Sequence, residues 1–322
     1  MRAFLLSCLL LLVLCGCNRS VATAQTEPTS VAPAYAPTQS DTSLLWKISA
    51  PGNATPSYLF GTIHLIPAED YFVPNGVLAA LDESEEVLFE IDPRAMQDPS
   101  MLFSLMSKIN MRGDTTLEDL LTKEEFATVK GYFTKTGLPF MIFQRMKPLF
   151  LSAMVGQDLS AMAGGGGNPM DNMKSYEFEL SAVAEAGGKE ISGLETMEFQ
   201  LSLFDSIPYG AQALMLHDAI VKDEAGESGT GESELDMMVR LYKSKSVAAM
   251  ASTISDASAK VAHFEELLLT KRNANWAPVI ESAVRVKDAG ARFYAVGAGH
   301  LGGEKGVIAL LRKAGLTVEP VY

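Results

Sequence analysis

Apolar and polar positions divide the chain into short strand-like runs near its two ends and a long helical middle. Residues 44–49 (LLWKIS) and 58–64 (YLFGTIH) have strand composition, and Pro51-Gly52-Asn53 between them predicts a hairpin. Residues 86–91 (EVLFEI) read as a buried strand closed by Asp92-Pro93. Beyond it the spacing turns helical. Thr115 with Glu118, and Thr122 with Glu125, match capping boxes; Phe126, Val129 and Phe133 then share one helical face until Gly137. Residues 176–186 predict a helix stopped by Gly187-Gly188, residues 190–194 (EISGL) a short strand, and residues 197–288 mostly helix. The last stretch reads as strand 292–296, a glycine-rich turn, helix 307–314 and strand 316–321. Strands alternating with helices predict an α/β fold, a mostly parallel or mixed sheet flanked by helices. Residues of about 95–185 carry much helix and little strand and are expected to form a helix-rich insertion, broken at Gly164–Gly167 and Asn168-Pro169.

The first 43 residues depart from that pattern. Residues 4–14 are an apolar run behind Arg2, shorter than the ~20 residues a bilayer span needs and laid out as a secretory signal. Leu14-Cys15-Gly16-Cys17 resembles a bacterial lipobox. The expectation is a lipoprotein signal peptide over residues 1–16, with Cys17 acylated as the membrane anchor. Asn18, where an aspartate would resemble an inner-membrane retention signal, favours the outer membrane; without acylation the protein would be periplasmic or secreted. Residues 19–43 are rich in Ser, Thr, Ala, Pro and Gln and cannot bury enough apolar area to offset their ordering entropy. Residues 17–43 are therefore read as a flexible tether, and 44–322 as the folded domain.

Composition narrows the chemistry. All three cysteines lie in the first 17 residues, so the folded part has no thiol nucleophile, disulfide framework or cysteine zinc site. A net charge of −13 is the wrong sign for nucleic acid. A metal site would have to be built from carboxylates and the four histidines, His64, His217, His263 and His300.

Two of those histidines share a motif. Gly61-Thr62-Ile63-His64 and Gly297-Ala298-Gly299-His300 each follow a predicted strand, and in open α/β sheets ligands collect beyond the carboxyl ends of strands. Glu90 ends another strand and Glu195 follows a fourth. Two imidazoles and a carboxylate form a common divalent-metal set. His217 (ALMLHDAI) and His263 (VAHFEELLL) lie in apolar helical stretches without a partner histidine, which predicts packing or surface roles.

The sequence also resembles the TraB/GumN family, which includes the Tiki metalloproteases and the pheromone-shutdown proteins of conjugative plasmids. The segments that carry the resemblance are YLFGTIHLIP, VLFEIDP, GKEISGLETMEFQ, LLTKRNANWAPVI and FYAVGAGHLGGEKGVIALLRKAGLTVEPV, in that order. The resemblance implies a fold similar to the erythromycin-esterase and ChaN-like group, with His64, His300 and Glu90 at its active site. Glu195 in GLET and Arg272 in RNANW match further family positions.

Residue chemistry and resemblance together predict a metal-dependent hydrolase, a peptidase acting on a peptide or protein outside the cytoplasm. His64, Glu90 and His300 would hold a divalent ion (Mn, Co or Zn) that activates water. Glu195 would serve as general base or orient a histidine, and Arg272 would bind a substrate carboxylate or a developing oxyanion. Gly61, Gly297 and Gly299 are the glycines expected at the bound cofactor. Gly297-x-Gly299-x-x-Gly302 also matches a dinucleotide fingerprint, with Glu319 beyond it, but an exported protein lacks ready access to NAD. The alternatives are a non-catalytic lipoprotein that binds haem, iron or a peptide, and a metal-independent hydrolase using His and Glu directly.

Overall fold

The computed structural model describes residues 35–97, 108–137, 139–156, 172–225, 234–258 and 265–322. The hairpin forms as its sequence predicts, with β1 (Leu45–Ser49) antiparallel to β2 (Ser57–Thr62) and Gly52 at φ +81° in the turn. A two-residue strand β3 (Ile66–Pro67) follows, then β4 (Glu86–Phe89), β5 (Met173–Lys174), β6 (Glu190–Gly193), β7 (Arg292–Gly297) and β8 (Thr317–Val321). Six of these make one sheet in the order β6-β4-β7-β2-β1-β8, and β3 pairs with β5 separately. The neighbours β6, β4, β7 and β2 run parallel, whereas β1 is antiparallel to both β2 and β8, so the sheet is mixed.

Strand β7 is buried from Phe293 to Gly297 because helices cover both faces of the sheet, which is why its sequence does not alternate. The main core joins Trp46, Phe60, Phe89 and Phe293 to Leu81, Leu180, Trp276, Ile280 and Ile308 from the flanking helices. Each such large side chain contributes about 1.5–3 kcal/mol when fully buried. The described part of the predicted insertion holds the helices Leu117–Leu120, Lys123–Thr134 and Pro148–Ser152. Val129, Phe133 and Phe143 pack there against Leu216 and Ile220, while Leu149 and Phe150 meet Met197, Leu201 and Phe204. These helices therefore build their cores with helices that come later in the chain.

One local expectation shifts by a residue. The helix Leu117–Leu120 is capped by Thr116 and Asp119, not by Thr115 and Glu118; the Asp119 carboxylate accepts from the Thr116 N–H and hydroxyl at 2.8 Å each. That register buries Leu117 completely. The second box stands as read, Thr122 with Glu125. Residues 1–34, the Gly164–Gly167 break and His263 lie outside the described residues. Among the described residues, no helix is long and apolar enough to cross a membrane.

Candidate active site

Parallel pairing sets the site. Register places Thr62 beside Gly297 and Phe89 beside Ala295, so β2, β7 and β4 end together. The chain beyond each end delivers one side chain: His64 two residues past β2, Glu90 directly past β4, and His300 at the close of a 3-10 turn, Ala298–His300. All three are buried, at 9%, 5% and 3% exposure respectively. Glycine permits the approach. A Cβ on Gly61 would stand 3.0 Å from Ala298 Cβ, and one on Gly297 would stand 3.3 Å from Glu90 Oε1 and 3.6 Å from both His64 Nε2 and His300 Cδ2. A Cβ on Gly299 would run into Ile254. Gly61 and Gly297 have committed backbone groups: the Gly297 N–H donates to Glu90 Oε1 (2.7 Å), and the Gly61 carbonyl accepts from the Tyr242 hydroxyl (3.0 Å).

Glu90 faces two ways. Its Oε1 lies 3.9 Å from His64 Nε2 and 3.6 Å from His300 Nε2. Its Oε2 is ion-paired to Arg272 Nη2 at 2.5 Å and accepts from the Gln200 amide at 3.2 Å. Burial alone would raise the Glu90 pKa, but the Arg272 charge, helped by His64 and the Gly297 N–H, holds it well below the usual carboxylate range.

The two imidazoles are held differently. His64 Nδ1 meets Glu177 Oε1 at 2.7 Å. Burial lowers its pKa, but the charges of Glu177 and Glu90 outweigh that and push it up to about 9. His300 Nδ1 instead donates to the neutral Asn273 Oδ1 at 2.7 Å, while its Nε2 accepts from Arg272 Nη1 at 3.1 Å. Burial and then the Arg272 charge push His300 down to about 3, so its ring is neutral with the lone pair on Nε2.

Glu195 and Arg272 join the site from its far side. Glu195 Oε1 accepts from Arg272 Nε (2.9 Å) and Oε2 from the Trp276 indole (3.0 Å). Burial raises the Glu195 pKa against the pull of Arg272. Trp276 packs its ring against His300 at 4.6 Å and under the Arg272 guanidinium at 4.7 Å. Both ring N–H acceptors are other residues, Glu177 and Asn273, which the sequence reading did not single out. Asn273 was visible beside Arg272 in RNANW. Glu177 carried no signal, because an acid in the first turn of a helix is an ordinary macrodipole contact. His217 lies on the helix Tyr209–Glu224 and pairs loosely with Asp218 at 3.7 Å.

The residue types, two imidazoles and a carboxylate, are those of a divalent-cation set, and each Nδ1 is fixed by a buried oxygen, which turns each Nε2 toward one carboxylate oxygen. The spacing is slightly wide, since bonds of ~2.0–2.2 Å to one ion put ligand atoms about 3–3.6 Å apart. Accordingly, among the described residues no group of three or more His, Cys, Asp or Glu closes into a metal cage. The His300 lone pair meets Arg272.

The profile of the TraB/PrgY/gumN family matches residues 44–320. The zebrafish (Danio rerio) protein named Metalloprotease TIKI2 is 22% identical over 316 residues, covering 86% of this chain. The chain spans only 60% of the length of that relative. No solved structure matches the chain. The family match runs from the first residues of the hairpin to the last strand and takes in both histidine turns, Glu90, Glu195 and Arg272, so the chain belongs to the TraB/PrgY/gumN family.

Proposed function

We propose that the protein is a metal-dependent hydrolase acting on peptides, held outside the cytoplasm by a lipid on Cys17. The observation that carries this reading is the convergence of His64 Nε2 and His300 Nε2 on Glu90 Oε1 at the ends of three parallel strands. His64, His300 and Glu90 Oε1 would hold a divalent ion, which supplies Lewis acidity and acidifies water. Arg272 takes Glu90 Oε2 and so turns Oε1 to the histidines. Asn273 keeps the His300 proton on Nδ1 and its lone pair on Nε2. Trp276 excludes water from the face of His300 it covers. The name of the TIKI2 relative supports the peptidase reading.

A second reading, metal-independent acid–base hydrolysis, is favoured by the Arg272 contact to His300 Nε2, which leaves a neutral imidazole beside a charged one. One experiment separates them. The purified full chain is assayed on a peptide library with added Mn²⁺, Co²⁺ or Zn²⁺ and with chelator. The expected result is metal-stimulated cleavage, abolished in His64→Ala and His300→Ala and retained in His217→Ala. Chelator-resistant cleavage selects the second reading. No cleavage, with a Soret band on adding haem, overturns both in favour of a binding protein.

A further inference from the structure

Glu177 is a carboxylate at 4% exposure that none of the steps above uses. It is saturated: Oε1 accepts from the Thr62 hydroxyl at 2.8 Å and meets His64 Nδ1 at 2.7 Å, and Oε2 accepts from the Ser175 hydroxyl at 2.9 Å. Two of those three groups, Thr62 and His64, belong to one GxxH turn. A buried carboxylate is tolerated only when its lone pairs are met in this way.

Its backbone is fixed as firmly as its side chain. Glu177 stands in the first turn of the helix Tyr176–Ala186, where the N-terminal dipole favours a negative charge. The adjacent Tyr176 is fully buried, packs on Phe60, Tyr71 and Tyr242, and donates its hydroxyl to the Phe72 carbonyl. Just before it, β5 pairs with β3, the strand that begins two residues after His64. Histidine and carboxylate are thus registered to each other by backbone pairing on one side and by aromatic packing on the other. A ring nitrogen held by a carboxylate fixes the tautomer and raises the donor strength of the opposite nitrogen.

We propose that Glu177 is the positioning residue of the site: it holds His64 with Nδ1 protonated and Nε2 turned to Glu90. The asymmetry with His300, whose Nδ1 meets an uncharged amide, makes His64 the stronger donor of the two. The proposal rests on the hydrolase reading for its consequence in catalysis, but its structural content can be tested separately.

The test compares the full chain with Glu177→Gln, which keeps size and an acceptor, and Glu177→Ala, which keeps neither. In metal-free protein above pH 9, where His64 has given up its second ring proton, ¹⁵N-edited spectra of the histidine side chains read the His64 tautomer. The wild type should show a slowly exchanging Nδ1–H, retained in Glu177→Gln and lost in Glu177→Ala. Co²⁺ titration should then give an affinity reduced by roughly ten- to a hundredfold in Glu177→Ala and by less in Glu177→Gln. Turnover should fall through kcat more than KM. A residue that only supports the fold would lower the unfolding midpoint while leaving the tautomer and the Co²⁺ affinity of the folded protein unchanged, and that result overturns the proposal. If the wild type binds no Co²⁺, the metal reading fails while the tautomer still decides on Glu177. An Nδ1–H signal that persists in Glu177→Ala overturns the positioning role outright.

Discussion

A guanidinium presents five N–H donors in one plane, and Arg272 makes four hydrogen bonds with them. They go to Glu195 (from Nε at 2.9 Å), to Glu90, to the Leu268 carbonyl at 3.1 Å and to His300 Nε2, and Nη2 is also ion-paired to Glu195 Oε1 at 2.7 Å. At 6% exposure the side chain therefore organises the site from inside rather than offering a free fork to a substrate carboxylate. The Leu268 carbonyl belongs to a π-helical turn, Glu266–Thr270, that leads directly into the arginine's own helix, and such turns recur at functional sites. Removing the cation would leave the buried Glu195 without its ion-pair partner and Glu90 with His64 as its remaining counter-charge. Arg272→Met should accordingly cost about 3–5 kcal/mol in urea unfolding of the full chain, with loss of activity. A cost below about 1 kcal/mol would show that the two carboxylates do not depend on the arginine. Sequence gave the identities of Arg272, Glu195, Glu90 and both histidines but not who bonds whom. The residues that hold the ring N–H groups, Glu177 and Asn273, reach them from other elements of the fold, and no spacing along the chain encodes that.

At the scale of elements, the hairpin, the three site-bearing strands and the terminal β-α-β were legible because each is short, apolar and closed by Gly, Pro or Asp. Their pairing was not. Nothing local in EVLFEI or FYAVG says that β4 and β7 lie side by side, since that pairing joins residues more than two hundred positions apart. The capping register at Thr116 escaped for a related reason: two threonines stand in a row, and burial of Leu117 decides between them. The glycines separate two kinds of constraint. Gly52 sits at positive φ with open space around it, so Gly52→Ala should cost on the order of 1–2 kcal/mol through backbone strain and leave activity unchanged. Gly61 has no such φ but faces Ala298 Cβ at 3.0 Å and Ala298 Cα at 3.1 Å, so an added methyl must push the two histidine turns apart. Gly61→Ala should cost a similar ~1–3 kcal/mol in unfolding and, unlike Gly52→Ala, reduce turnover steeply. Equal activity in the two variants would mean that the spacing of the turns does not govern the chemistry.

For the whole molecule, the two histidines predict a stability optimum in the metal-free protein. The unfolded chain titrates both near 6.5, whereas in the folded chain His64 titrates at about 9 and His300 at about 3. Below 6.5 the stabilisation of protonated His64 is fully present, and it is lost as pH rises through 9, because the folded state then holds a proton that the unfolded state has released. His300 acts in the opposite range. As pH falls from 6.5 toward 3 the unfolded state takes up a proton that the folded state refuses, so stability drops on the acid side. Each proton contributes a slope of up to about 1.4 kcal/mol per pH unit. Between pH 6.5 and 9 ordinary carboxylates are already ionised and lysines still charged, so His64 governs the alkaline limb. Urea unfolding of the chelated full chain at pH 5, 6.5, 7.5 and 9 should therefore trace a maximum near 6.5. His64→Gln should flatten the alkaline limb and keep the acid one. A wild-type profile level from pH 6.5 to 9 would mean that Glu177 and Glu90 do not hold a charged imidazole between them.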